Sequence, residues 1–327
     1  MNEPILAATG LAKTFQSKRR RVQAVNNIAL EAAKGTVVGL LGPNGAGKTT
    51  TMRMLTTLLP IDSGDVRIAG YDVRREPARV RTRIGYVSQA GGADDTLTAR
   101  ENLQLQARLY GVSARDAADR AGRLIQQLEL GDYADRAVKT YSGGQRRRLE
   151  VAMGIIHDPA VLFLDEPSTG LDPQSRAHLW EHIRRLAQAG MTVVLTTHYL
   201  DEADALCQRV YIIDHGEVVI EGDPAQLKRQ VAGEAILWSW PTDDAAQLAL
   251  SVLTQDPAVR DVVRENTTVR VYVDNGAAVL ADLLHRLEAA GVRPATVQLN
   301  QPSLDDVFFR TTGRSLRDQT VPGEVSP

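Results

Sequence analysis

The chain has 327 residues, a formal net charge of −2 and a hydrophobic content of 43%. That length fits two domains, one large and one small, each able to bury a core. The near-neutral charge argues against a nucleic-acid partner, and one cysteine, Cys207, excludes an intrachain disulfide.

Residues 5–38 alternate apolar and polar positions in "ILAATGLAKTF" and "VQAVNNIALEAAKG", which predicts antiparallel strands. The run "SKRRR" (17–21) between them reads as a solvated hairpin tip, or else as a contact for anionic lipid headgroups. "VVGLLG" (37–42) is a buried strand, and a glycine loop leads from it into the helix "KTTTMRMLTTLL". "IGYVSQ" ends a strand at Gln89, and residues 99–138 are mostly helical. Three more apolar strands follow, "AVLFLD" (160–165), "MTVVLTT" (191–197) and "RVYIID" (209–214), with Cys207 as a small buried hydrophobe beside the last. "PQSRAHLWEHIRRLAQAG" is a helix with proline at its start and Gly190 as its stop. Strands alternating with helices predict an α/β fold with a largely parallel sheet covered on both faces.

Near residue 230 the pattern changes. "AILWSW" (235–240) and "TVRVYV" (268–273) are half-buried strands, "AAVLADLLHRLEAAG" is an amphipathic helix stopped by Gly291, and "TVQL" and "PSLDDVFFRTTG" follow. The expected division is a nucleotide-binding domain over 1–229, with a helical subdomain at about 90–157, and a small α+β domain over 230–313. Residues 314–327 are polar and aperiodic, as in a disordered tail. "MNEPILAATG" lacks the features of a signal peptide and no apolar run is long enough to span a bilayer, so a cytoplasmic chain is expected, peripheral on the inner face of the cell membrane if a partner holds it there.

"GPNGAGKT", Gly42 to Thr49, fits G-x-x-x-x-G-K-[ST] between a strand and a helix, the context of a P-loop. Backbone N–H groups of such a loop turn inward around phosphate oxygens, and the helix start adds its positive end. Lys48 would bridge the β- and γ-phosphates and Thr49 would hold Mg²⁺. In "VLFLDEP" (161–167), Asp165 emerges at the end of a buried strand, where its carboxylate can hold the Mg²⁺ shell. Glu166 comes next and can activate or position a water in line with the γ-phosphate. His198, closing "TTH", is either a polar strand cap or a hydrogen-bond partner of the γ-phosphate. The Gln89 amide could bind Mg²⁺ or the attacking water and report the phosphate state to the helical region that follows.

In order, the P-loop, "SQ" (88–89), "YSGGQ" (141–145), "LDEP" (164–167), "STGLD" (168–172) and "TTH" (196–198) resemble the motifs of an ABC-transporter ATPase over residues 4 to about 225. The resemblance implies the ABC cassette: a mostly parallel P-loop core, an N-terminal antiparallel β subdomain and a helical subdomain. It makes Phe15 the aromatic that stacks on adenine, Gln89 the Q-loop residue, Glu166 the catalytic base and His198 the switch histidine. Asp172 falls in the loop that crosses the dimer interface. The implied ATP and Mg²⁺ site comprises Gly42, Pro43, Asn44, Gly45, Ala46, Gly47, Lys48, Thr49 and Thr50, with Thr49, Gln89 and Asp165 toward the metal. Tyr141 departs from the commonest signature, which has leucine there. "LTARENLQLQARLYG", "YSGGQRRRLEVA" and "PSLDDVFFRTTGR" look like the daunorubicin-resistance branch, ATPase subunits of ABC-2 type exporters that pair with a separate membrane permease.

A helix starting at a bare Ser142-Gly143-Gly144 is an anion site, with free N–H groups, a hydroxyl and a dipole end. The chain's own P-loop already surrounds the phosphates on one side. The resemblance implies that Tyr141, Ser142, Gly143, Gly144 and Gln145 of a second chain close the other side, giving a head-to-tail homodimer around two ATP molecules. A capped helix start without a ligand is the plainer alternative. The function expected is an ATPase that powers export of a drug, antibiotic or other amphipathic substrate. The alternatives are a soluble ABC ATPase acting on nucleic acid or ribosomes, and an importer ATPase. The single cassette, the absence of a long coiled-coil insertion and the charge balance weigh against the first, and "LDDVFFRTTG" against the second.

Overall fold

A computed structural model describes residues 3–17, 20–230, 234–300 and 303–312 of the chain. Lys18 and Arg19 of the basic run and the expected tail 314–327 lie outside the described residues. The chain divides into two compact units, Met1–Asp223 and Pro224–Pro327.

The first unit begins with β1 (Leu6–Ser17), β2 (Arg20–Ala32), β3 (Val37–Leu41), α1 (Lys48–Leu55), β4 (Ser63–Ile68), β5 (Tyr71–Asp72), α2 (Pro77–Arg83) and β6 (Ile84–Val87). Helices α3 (Ala99–Leu109), α4 (Ala114–Gln127) and α5 (Gly143–Ile155) follow. The unit closes with β7 (Val161–Asp165), α6 (Pro173–Gln188), β8 (Thr192–Thr197), α7 (Leu200–Leu206), β9 (Arg209–Asp214) and β10 (Glu217–Gly222). An antiparallel sheet has the order β2-β1-β4-β5, with Leu6 opposite both Ala32 and Ile68. A second sheet has the order β10-β9-β3-β8-β7-β6, parallel except for the β9–β10 edge pair.

Every residue of β3, β7 and β8 is buried, which explains the unbroken apolar runs of the first two. Cys207 packs against Gly39 of β3, and burial pushes its thiol pKa up, so it is an inert hydrophobe. The Asp172 side chain caps α6 by accepting from the Ser175 amide, and Pro173 opens the helix. One expectation fails locally. The helix after the P-loop ends at Leu55, short of Leu59. Thr56 turns its hydroxyl back onto the Met52 carbonyl, and Thr57 takes a φ of 63°, outside helical space.

The second unit contains α8 (Pro224–Gln230), β11 (Glu234–Ser239), α9 (Asp243–Thr254), β12 (Val259–Glu265), β13 (Thr268–Val273), α10 (Gly276–Ala289), β14 (Thr296–Asn300) and α11 (Leu304–Thr312). Its sheet, order β12-β13-β11-β14, is antiparallel throughout and follows a βαββαβ path. Ile236, Trp238, Val269 and Val271 share one core with Ala246, Leu253, Leu283 and Leu287 of α9 and α10. The six residues of "LDDVFF" in α11 are all buried. Asp306 accepts hydrogen bonds from Arg270 (2.6 Å) and from the Ser303 amide (2.8 Å), which pairs its charge and caps the helix at once. Helix α8 belongs to this unit because it packs against α11 and buries Leu227, so the division falls after Asp223 rather than at 229/230.

All the hydrogen bonds described below for the phosphate site close within the first unit. A chain ending at Asp223 is therefore expected to bind ATP and to unfold in one cooperative thermal transition. A broad, non-cooperative melt of that fragment would refute the boundary.

Candidate functional site

Parallel register decides what meets at the carboxyl edge of the sheet. Leu41 of β3 pairs with Thr197 of β8, Asp165 of β7 with Thr196 of β8, and Val87 of β6 with Leu164. The P-loop, Thr196 to His198, the Asp165-Glu166 pair and Gln89 therefore leave four strands at one level. They border a cavity of about 370 Å³ lined by Pro43 to Thr50, Gln89, Glu166, Thr169 and His198, together with Ala24. Gly42 does not line it, but its carbonyl accepts a hydrogen bond from Lys48, which does.

The loop closes onto α1 at Gly47, which has a φ of 103° and no room for a side chain: a Cβ there would stand 2.4 Å from the Ala24 carbonyl oxygen. Lys48 then turns its ammonium back over the loop, donating to the carbonyls of Gly42 (2.7 Å) and Pro43 (3.1 Å). Its Nζ is also 3.2 Å from Glu166 Oε1. Thr49 Oγ1 donates to Asp165 Oδ1 at 3.0 Å, and Thr196 Oγ1 donates to the same oxygen at 2.6 Å. A carboxylate and a hydroxyl in contact, with the Gln89 amide on the same cavity, make the all-oxygen set that suits Mg²⁺.

Glu166 is 7% exposed and adopts a left-handed φ of 47°. Its amide donates to the Thr196 hydroxyl at 2.9 Å. Its Oε2 accepts from His198 Nδ1 (2.7 Å) and from Thr169 Oγ1 (3.2 Å). Burial pushes the Glu166 pKa up, but the His198 hydrogen bond and the Lys48 charge outweigh it and hold the carboxyl below the usual carboxylate range. Burial draws the Lys48 pKa down, with the charges of Glu166 and Asp165 opposing. The result is an ionised carboxylate held between two cationic or proton-donating groups, beside a loop shaped for phosphate.

Other expected residues lie elsewhere. Phe15 stands on β1 opposite Val22, 43% exposed, with Lys13 Nζ 5.9 Å from its ring centre, and does not line the cavity. None of Tyr141, Ser142, Gly143, Gly144 and Gln145 lines it either. The Ser-Gly-Gly helix start is not bare: Ser142 Oγ accepts from the Gln145 amide, and the Gln145 side chain accepts from the Ser142 amide. Ser142 and Gly143 are exposed, while Gly144 presses on α6, where a Cβ would meet Ser175 Oγ at 2.5 Å. Tyr141 donates its hydroxyl to the Tyr133 carbonyl (2.6 Å), and the two rings meet edge to face, so the tyrosine here anchors the segment before α5. Thr196, Thr169 and Tyr86 (hydroxyl 3.5 Å from Asp165 Oδ2) are site residues that carried no signal of their own, although Thr196 lies inside the "TTH" triplet and Thr169 inside "STGLD".

Two family models match the chain: "ABC transporter" over residues 25–169, and the C-terminal domain of DrrA1-3-like ATP-binding proteins over residues 222–312. The chain is 42% identical over 317 residues to the daunorubicin resistance ATP-binding protein DrrA2 of Streptomyces coeruleorubidus, covering 94% of each chain. It is 41% identical over 322 residues to the daunorubicin/doxorubicin resistance ATP-binding protein DrrA of Streptomyces peucetius, covering 97% of this chain and 94% of that protein. Among solved structures, an ATP-binding cassette captured as a dimer in a post-hydrolysis state with ADP and phosphate matches with a TM-score of 0.61 and 26% identity, over 67% of this chain and 98% of that one. The likeness to the resistance proteins runs through both units and nearly the whole of each chain. The chain therefore belongs to the ATP-binding subunits of ABC transporters, in the family of the daunorubicin resistance ATPases.

Proposed function

We propose that this ATPase powers a membrane exporter of drug-like or other amphipathic molecules, as a head-to-tail dimer that encloses two ATP molecules and drives a separate permease of the ABC-2 type. The reading places the chain at the cytoplasmic face of the membrane without crossing it; no described helix is long and apolar enough to span a bilayer. The convergence of Lys48, Glu166, His198 and Gln89 on one cavity at the carboxyl edge of the parallel sheet carries the proposal.

ATP lies with its phosphates in the P-loop, its β- and γ-phosphates facing Lys48. Asp165, Thr49 and Gln89 are the residues that would hold Mg²⁺, which neutralises charge on the phosphate oxygens when bound. Glu166, ionised, accepts a proton from the attacking water. His198, with Nδ1 directed at Glu166 Oε2, fixes the carboxylate and has Nε2 as its remaining polar atom. The exposure of Ser142 and Gly143, away from the chain's own cavity, supports their use by a partner copy.

Glu166→Gln is expected to bind ATP and to hydrolyse it at least ~10²-fold more slowly, accumulating as an ATP-bound dimer. Near-normal turnover, measured by phosphate release, would remove Glu166 from the mechanism. Thr49→Val keeps the shape and loses the oxygen. Titrations with and without Mg²⁺ should show a loss of about 10-fold or more confined to the Mg²⁺-dependent part of ATP affinity. An equal loss in EDTA would point to damage of the loop instead.

The composite site is tested by forcing Lys48→Ala and Ser142→Ala chains into one heterodimer, in a Glu166→Gln background. If each site joins one P-loop to the other chain's Ser142, both lesions fall in one site and the second is intact. Such a heterodimer should trap up to one ATP per dimer, and either homodimer much less. Trapping no better than in the homodimers would defeat the head-to-tail arrangement.

A further inference from the structure

Three arginines, Arg146, Arg147 and Arg148, follow the Ser-Gly-Gly segment, and of these Arg147 is buried, at 6% exposure. Its guanidinium donates to four oxygens. Nε reaches the Pro167 carbonyl (2.9 Å), Nη2 the Asp165 carbonyl (2.9 Å), and Nη1 both the Ser88 carbonyl (2.8 Å) and Glu150 Oε2 (3.0 Å). The first two carbonyls flank Glu166, the residue with a φ of 47°. A glutamate seldom holds a left-handed conformation unless its surroundings impose it. Here one planar cation grips the chain immediately before and immediately after the kink, a task for which a fixed fork of donors is suited and a single ammonium is not. Thr196 holds the intervening amide from the other side. The third carbonyl precedes Gln89, so the segment leading into that residue shares the anchor. Glu150 balances the buried charge from within the same helix.

We propose that Arg147 is a positioning residue for ATP hydrolysis. It acts through the backbone of Glu166, holding the left-handed turn that aims the carboxylate into the cavity, and it does so from α5, the helix that opens on Ser142. The inference rests on Glu166 being the base. It adds that the accuracy of that base is set by a side chain that does not line the cavity.

The test uses the full-length chain with Mg²⁺ and ATP. Arg147→Met leaves the buried Glu150 with Arg146, 3.2 Å away, as its one remaining ion-pair partner among the described residues, so it is combined with Glu150→Met, which removes the buried pair together. The double variant is expected to bind ATP with KM within about 3-fold of wild type and to lose about 10- to 100-fold in kcat, the scale of a misplaced catalytic group. Arg147→Lys keeps the charge and the Glu150 pairing, reaches fewer carbonyls, and should fall between the two. It keeps the test readable if the double variant folds poorly. In a Glu166→Gln background, the same Arg147 changes should lower the residual single-turnover rate by no more than about 3-fold, because the group they position has gone. An unchanged kcat in both Arg147 variants overturns the proposal. So does a loss in KM alone, which is the mark of a merely structural role, or a full multiplicative loss on top of Glu166→Gln. Turnover that survives Glu166→Gln by itself sinks the base assignment first, and this inference with it, without any change at Arg147.

Discussion

Two carboxylates stand side by side at the end of β7, Asp165 at 2% and Glu166 at 7% exposure, and the cassette is organised around satisfying them. A buried charge without partners is costly, so each oxygen has to be met by a donor or a cation. Those partners come from widely separated parts of the first unit. Thr49 and Lys48 arrive on the loop and helix after β3, Thr196 and His198 at the end of β8, Tyr86 from β6, and Arg147 from α5 through the neighbouring carbonyls. The interactions that make this pair of acids tolerable therefore also assemble the phosphate site. Parallel register makes this possible, since β3, β8, β7 and β6 end at one level and their loops open on one side.

Burial also decides which elements stand out in the sequence and which do not. Strands β3 and β7 are buried at every position, so their apolar runs stand out, and the P-loop and the Asp-Glu pair mark their ends. Strand β4 buries only Val66 and Ile68 and begins around Gly64, and β12 is buried by halves along most of its length, so neither shows a usable alternation. The helix from Lys48 runs into a threonine and leucine stretch whose composition does not announce a break. Helix α8 has one buried leucine to declare its allegiance to the second unit.

Arg147 shows a different kind of limit. Helix α5 buries Gly144, Arg147, Leu149, Glu150, Val151, Ala152, Gly154 and Ile155, which surround nearly the whole helix, so no amphipathic stripe indicates which of three successive arginines turns inward. Three of its four partners are main-chain carbonyls, which every residue has, and no motif can encode them. The capping box of Ser142 and Gln145, by contrast, has a signature in the sequence, a serine three residues ahead of a glutamine, which the reading of a bare Ser-Gly-Gly passed over. In the second unit, "LDDVFF" reads as a motif and folds as a core segment: its acids and aromatics are spent on capping, pairing and packing within α11 and against β13.

The cap on Ser142 has one further consequence. It uses only a lone pair of the hydroxyl, since Oγ is the acceptor for the Gln145 amide. A serine hydroxyl has one proton to give and two lone pairs to accept with, so the proton of Ser142 stays available to an outside acceptor while the helix start remains intact. A surface built this way needs no rearrangement to change partners. The conformational entropy of the segment has been surrendered already, at folding, and an anion that docks there meets a rigid cradle. When the anion leaves, the two capping hydrogen bonds within the segment can stay as they are.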